Sequence, residues 1–270
     1  MKTIFTGLII ASVLLSCQQR EQKIIHLWLV GDSTMKDYSQ SERYATKDYP
    51  MTGWGQVFPR WLTPDSLALL DQMIPADSVT VRNVARGGRS SRTFFSEGLW
   101  RQVRDSLQPG DVVMIQFGHN DNDTRKLERF VNVEGYKEYL WLFVLQTRQA
   151  GAQPILVTPV NHNNPDSTGR FSPSLPTFVE AVFEVAERMD VPVVDLNKRS
   201  VELFNSLDDP EYVASSVFMN LPPGKYPGWP EGKKDNTHFQ TAGAEMIAAL
   251  VFSELKRLNA ERSKMEQKRN

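Results

Sequence analysis

Only four histidines are available to move a proton: His26, His119, His162 and His238. His238 stands in Asp235-Asn236-Thr237-His238. A carboxylate three residues before an imidazole on one loop can curl back to its Nδ1–H. That bond fixes the tautomer and stabilises the imidazolium formed when the ring takes a proton. Such a base can activate a serine hydroxyl, which is a weak nucleophile alone. The candidate hydroxyl is Ser33, in Gly31-Asp32-Ser33-Thr34. Acyl transfer further needs donors aimed at the developing oxyanion. Gly88, in Arg86-Gly87-Gly88-Arg89, can offer a backbone N–H; Asn120, in Gly118-His119-Asn120-Asp121, can offer an amide. Each segment alone has a plainer reading. Asp-x-x-His suits a surface turn ahead of a helix, and Gly-Gly or Gly-x-Asn-Asp suits an ordinary turn. Their order and placement together are what carry specificity.

The elements that must position these residues alternate between two periods. Ile24 to Val30, Val79 to Val84, Val112 to Phe117, Pro154 to Val157 and Val191 to Val194 read as strands, most of them short apolar runs. Runs of this length suit buried parallel strands covered on both faces. Between them lie helical patterns: Leu99, Val103 and Leu107, stopped by Pro109-Gly110; Tyr136 to Ala150; a stripe of Phe178, Val182, Val185 and Met189; and a last helix from about Thr241 to Leu258. Alternating strands and helices predict a doubly wound α/β domain around a parallel sheet. Ligands of such sheets bind beyond the carboxyl ends of the strands. The Ser33, Gly88 and Asn120 segments each follow a predicted strand there. His26 falls inside the first strand and reads as structural.

The chain has 270 residues, 40% hydrophobic and 23% charged, which suits a globular protein with a sizeable core. A formal net charge of -1 provides no bulk attraction to nucleic acid. A single cysteine, Cys17, excludes an intramolecular disulfide and a Cys-rich zinc site. No His-x-x-x-His or Asp/His cluster has metal-ligand spacing, so no metal is expected. No internal repeat or linker splits the chain, and one catalytic domain is expected over 24–258. A charged tail, 259–270, is expected to fray. Residues 1–16 run from Lys2 into an apolar stretch, the order of a secretory signal. An ordinary signal peptide that happens to contain a cysteine remains the other reading of Cys17.

Several phrases go beyond these generic patterns. Gly31-Asp32-Ser33-Thr34, Asn83 to Ser90, Gly118-His119-Asn120-Asp121 and Asp235-Asn236-Thr237-His238 resemble, in order, the four blocks of the SGNH (GDSL-type) hydrolases. The resemblance spans about Ile24 to Leu258. It implies a three-layer α/β/α sandwich with a central parallel sheet, of flavodoxin-like type. It implies Ser33 as nucleophile, His238 as general base and then acid, and Asp235 as its orienter. Gly88 N–H, Asn120 and the Ser33 N–H would form the oxyanion hole. Longer phrases, among them Gly53-Trp54-Gly55, Gly88 to Phe94, Gln116 to Asp121 and Asp235 to Phe239, are most similar to rhamnogalacturonan acetylesterases. That implies removal of O-acetyl groups from an acetylated pectic polysaccharide of plant cell walls, without metal or organic cofactor. Leu14-Leu15-Ser16-Cys17 resembles a bacterial lipobox. It implies cleavage before Cys17, lipidation of that thiol, a tether over 17–23, and an exported protein on the membrane by its lipid anchor, in the periplasm or at the cell surface.

Secondary candidates follow. Arg86, Arg89 and Arg92 can grip the carboxylates of a galacturonate polymer, or pair with nearby acids. His162, after the fourth strand, and Trp54 can line the cleft and touch sugar; such a Trp is also an ordinary core residue. The proline-rich segment from Leu221 to Lys234, with Tyr226 and Trp229, can form a cleft wall. His119 is expected to support the site and Asp32 to brace the strand end. Competing functions are an esterase for another acetylated glycan such as xylan or for a lipid, and a surface lipoprotein that binds glycans without turnover.

Overall fold

The computed structural model describes residues 22–39, 41 and 50–268. The expected signal segment, Cys17 and most of the expected tether lie outside them. Five strands form one all-parallel sheet: β1 (Ile24–Gly31), β2 (Ser78–Asn83), β3 (Val112–Gln116), β4 (Gln153–Val157) and β5 (Val193–Val194), in the order β2-β1-β3-β4-β5. The six principal helices are α1 (Ser91–Ser96), α2 (Leu99–Arg104), α3 (Val133–Gln149), α4 (Pro176–Met189), α5 (Leu196–Leu207) and α6 (Thr241–Gln267).

The period-2 alternation of the strands divides the interior into two cores. Leu27, Leu29, Val112, Met114, Ile155 and Val157 pack on one face with Ile247, Val251 and Leu255 of α6. Trp28, Val30, Val113, Ile115 and Leu156 pack on the other with Phe94, Trp100, Phe143, Phe178 and Val182 from α1 to α4. Both faces of the sheet are therefore covered, which is why its inner strands β1, β3 and β4 read as mainly apolar runs. The expected three-layer α/β/α sandwich is the fold observed.

Two boundaries differ from expectation. Helix α6 does not stop near Leu258 but runs to Gln267. Asn259 is buried there and accepts from Gln72 N and Met73 N while donating to Asp71, so the predicted fraying tail is tied to the 71–73 turn. Strand β2 is not buried on both faces: it is the edge of the sheet, and its alternate residues are exposed.

In this strand order the connection from β1 to β2 and the position of β3 diverge from β1. The crevice at that divergence, beyond the carboxyl ends of β1 and β3, is where such sheets bind ligands. Ser33 follows β1 and Asn120 follows β3.

Candidate active site

The loop after β1 turns immediately. Asp32 is fully buried and caps the turn by accepting from Thr34 N (2.9 Å) and Thr34 Oγ1 (2.8 Å). Trp54 N donates to the Thr34 carbonyl, and Tyr38 Oη donates to the Ser33 carbonyl. Gly53 and Gly55 lie so close to this loop that a Cβ would fall 2.2 Å from Lys36 O or 2.5 Å from Met35 O. The Gly-Trp-Gly phrase is thus a seat for the Ser33 turn. Trp54 itself is fully buried and donates to Gln116 Oε1 at 2.8 Å. Its expected contact with sugar is corrected: the ring is core, and its polar tip is already satisfied.

Ser33, Gly88, His119, Asn120, His162, Thr237 and His238 line one open cleft of about 530 Å³. His238 Nδ1 faces Asp235 Oδ2 at 2.8 Å and Oδ1 at 3.0 Å, while His238 N also donates to Oδ1. Lys233 Nζ adds an ion pair to Oδ2 at 2.7 Å. Burial opposes the charge on Asp235, but the His238 ring and Lys233 outweigh it and hold the carboxyl far below the usual range. No hydrogen bond joins Ser33 Oγ to His238 in this structure, although both face the cleft. Such bonds commonly tighten only when substrate is bound.

Three donors sit on residues that line this cleft. The Ser33 and Gly88 backbone N–H groups have no acceptor among the described residues. Gly88 adopts φ +78°, a left-handed conformation that glycine tolerates. Asn120 Nδ2 gives one N–H to Arg89 O at 2.9 Å, which orients the amide and leaves its second N–H unused. Asp121 ties the two loops together. It is buried and accepts from Ser91 N, Ser91 Oγ and Gly118 N. Burial pushes its carboxyl up to about 6 despite those bonds. A hydroxyl, an imidazole held by a carboxylate and three available donors on one cleft are the kinds of group that acyl transfer uses.

The arginine cluster is reassigned. Arg89 is paired with Glu97 at 2.9 Å and bonded to Gly87 O, and it does not line the cleft. Arg92 donates to Leu127 O and Phe130 O, so it braces a loop. Arg86 lines a separate depression with Trp28 and Phe94. The 221–234 segment does not line the cleft either. Its Tyr226 and Trp229 pack with Tyr38, Met51, Met219 and Leu221, and its Lys233 buttresses Asp235. His162 does reach the cleft, stacked edge-on with the His119 ring at 5.0 Å. Burial and the neighbouring His119 charge push its pKa down to about 3, so it is a neutral ring.

Sequence reasoning missed the other wall. Asn122, Thr124, Arg125, Lys126 and Arg129, with Asp123, line the cleft from the loop after β3. Their position directly after Asn120 was a signal; which way the loop folds was not. Among the described residues no three His, Cys, Asp or Glu side chains come together as a metal-binding set.

Residues 29–246 match the GDSL-like Lipase/Acylhydrolase family. The chain is 33% identical over 237 residues to rhamnogalacturonan acetylesterase RhgT of Bacillus subtilis, covering 88% of this chain and 92% of that protein. It is 27% identical to a rhamnogalacturonan acetylesterase of Emericella nidulans, covering 82% of this chain and 81% of that protein. The crystal structure of protein YxiM from Bacillus subtilis superposes with a TM-score of 0.68 at 26% identity, over 88% of this chain and 57% of that one. An acetylxylan esterase from Geobacillus stearothermophilus, Axe2, shares the fold with a TM-score of 0.56 at 18% identity, over 86% of this chain and 94% of that one.

Proposed function

Because this chain belongs to the GDSL-like lipase/acylhydrolase family and is an esterase, we propose that it removes O-acetyl groups from carbohydrate, and specifically from rhamnogalacturonan-like pectic polysaccharide. The observation that carries this reading is the His238–Asp235 pair at 2.8 Å in one cleft with Ser33, Gly88 and Asn120. The pectic substrate is supported by the names of two relatives that match over most of their length.

In this reading Ser33 Oγ attacks the acetyl carbonyl while His238 takes its proton. The ionised Asp235 holds Nδ1–H and stabilises the imidazolium. Negative charge on the tetrahedral oxygen meets the Ser33 N–H, the Gly88 N–H and the free amide hydrogen of Asn120. The sugar hydroxyl leaves with the proton from His238. Water then attacks the acetyl-serine, with the same imidazole as base, and acetate departs. No step needs a metal or an organic cofactor. Lipidation of Cys17 and export to the periplasm or cell surface complete the proposal, since a polymer substrate must be met outside the cytoplasm.

The test is acetate release from acetylated rhamnogalacturonan, acetylated xylan and long-chain nitrophenyl esters side by side. The expected order of kcat/KM is the order just given. Preference for xylan would move the substrate to another glycan, and preference for the long-chain esters would end the carbohydrate reading.

A further inference from the structure

One wall of the cleft carries more positive charge than acyl transfer requires. Arg125, Lys126 and Arg129 all line it, with Asp123 as the one acid among the lining residues. Asp123 accepts from Arg125 Nε and Arg129 Nη2, each at 2.8 Å, and these bonds hold its carboxyl down at about 2. One carboxylate therefore serves two guanidinium groups, and Lys126 has no ion-pair partner among the described residues.

Arg129 is the best placed of the three. Its side chain is mostly buried, 19% exposed, and so held in one position. Nη2 is engaged by Asp123, but Nη1 has no acceptor among the described residues, and it lies 3.6 Å from where a Cβ on Gly88 would stand. A guanidinium edge thus projects beside an oxyanion donor. Arg92 fixes the loop beneath it through Leu127 O and Phe130 O. Across the Gly87–Gly88 turn, Lys36 runs alongside Gly87, whose Cβ would be 3.8 Å from Lys36 Cδ and 3.7 Å from Ser33 Cβ. Burial and the like charges of Arg86 and Arg89 depress the Lys36 pKa. Cations stand on both sides of the nucleophile, and on the Arg129 side three of them share the one lining carboxylate of Asp123, a field that favours an anionic ligand.

We propose that Arg129, through its free Nη1 edge and with Lys126 on the same wall, forms a carboxylate subsite that reads a uronate carboxyl of the bound polymer. The proposal rests on the esterase reading above and adds the residue that selects the anionic polymer. A charged hydrogen bond to a carboxylate is stronger than one between neutral groups, and guanidinium holds it in a fixed direction.

The experiment is a cycle of two enzymes and two substrates. Wild type and Arg129→Gln are assayed on an acetylated rhamnogalacturonan oligosaccharide and on the same oligosaccharide with its uronate carboxyls reduced to primary alcohols. For wild type, carboxyl reduction is expected to lower kcat/KM roughly ten- to hundredfold, the scale of a hydrogen bond to a charged group, mainly through KM. For R129Q the two substrates should be nearly equal. If carboxyl reduction costs wild type and R129Q the same, or costs neither anything, the subsite is wrong while the esterase reading stands. If R129Q lowers kcat equally on both, Arg129 serves the oxyanion and the subsite is again wrong. If wild type releases acetate only from neutral acetylated xylan, the pectic reading itself fails. A second measurement needs no variant: added salt should raise the wild-type KM for the native oligosaccharide and leave that for the reduced one unchanged. Equal salt sensitivity would overturn the subsite.

Discussion

His119 and Asp32 form a buried ion pair beneath the nucleophile turn, with Nδ1 3.1 Å from Oδ2. The other ring nitrogen, Nε2, lies 2.9 Å from the Val160 carbonyl. Both ring nitrogens face acceptors, so only the doubly protonated imidazolium satisfies both. Burial works against that charge, but the Asp32 carboxylate and the two hydrogen bonds outweigh it and raise the His119 pKa. The same pair lowers that of Asp32 against the effect of its burial. His119 thereby ties the loops after β1, β3 and β4 together, with Asn120 next to it in the chain.

The pair has a pH signature. His119 is raised above its ordinary 6.5, so its stabilisation is complete below that value and is lost as pH rises through the higher folded-state value. Asp32 is lowered below 3.8, so its stabilisation is complete above that value and is lost as pH falls through the lower one. Between about pH 4 and 6.5 both contributions are present. Asp32→Asn strands a buried cation and is expected to cost roughly 3–5 kcal/mol in that window, the range for breaking a buried pair. Urea unfolding of wild type and D32N across pH checks it. A difference that stays flat from pH 5 to 9 would mean the ring is neutral.

Asp235 is held far below the usual carboxylate range, so it stays ionised wherever the fold survives. Asp235→Asn should therefore lower kcat at every pH rather than shift the acid limb, by roughly 10³–10⁴-fold, because the tautomer is no longer fixed. Ser33→Ala and His238→Ala should each abolish turnover to a similar residual level, and the double variant should be no worse than either, since the residues act as a unit. Acetate release at saturating substrate reads all four. Additive losses would separate the roles assigned to Ser33 and His238.

The parts of this site that sequence made legible are those set locally or by strand ends. Asp235 and His238 are three residues apart, so a single loop decides their contact. Ser33 and Asn120 follow long apolar strands whose burial leaves only one end for a ligand. The Arg129 position was not legible. It lies in a loop without periodicity, and its approach to Gly88 depends on Arg92 gripping carbonyls 35 and 38 residues away. Which of the two readings of Arg89 and Arg92 holds was not legible for the same reason: nearness in sequence to Gly88 says nothing about which acid or carbonyl each side chain finds. The extension of α6 likewise depends on a long-range partner, the Asp71–Met73 turn.

Asn120 and Gly88 can be separated by how they fail. Asn120→Ala removes one oxyanion donor and should lower kcat roughly 10²–10³-fold with little change in KM. Gly88→Ala meets no steric wall, because the nearest atom would be 3.6 Å away, but it forces a Cβ residue into φ +78°. The strain is roughly 1–2 kcal/mol, and relief of it would turn the N–H away from the cleft. Steady-state kinetics with a small acetyl ester compares the two. A fully active G88A would show that the loop bears this strain without turning its N–H, and a loss in KM alone would count against an oxyanion role for Gly88.

Trp54 provides the clearest test between a wall and a core. Its ring is buried against Phe58, with centroids 5.6 Å apart, and its Nε1 supplies the partner of Gln116 Oε1 inside the sheet. Trp54→Phe keeps an aromatic side chain but leaves that oxygen unsatisfied. A buried acceptor without a partner costs about 1–3 kcal/mol, so the unfolding midpoint should fall measurably. Because the indole does not line the cleft, KM for an acetylated oligosaccharide should stay within about twofold of wild type, while kcat falls only as far as the seat under Ser33 loosens. A sugar-binding tryptophan would give the opposite pattern, with KM rising tenfold or more and stability unchanged.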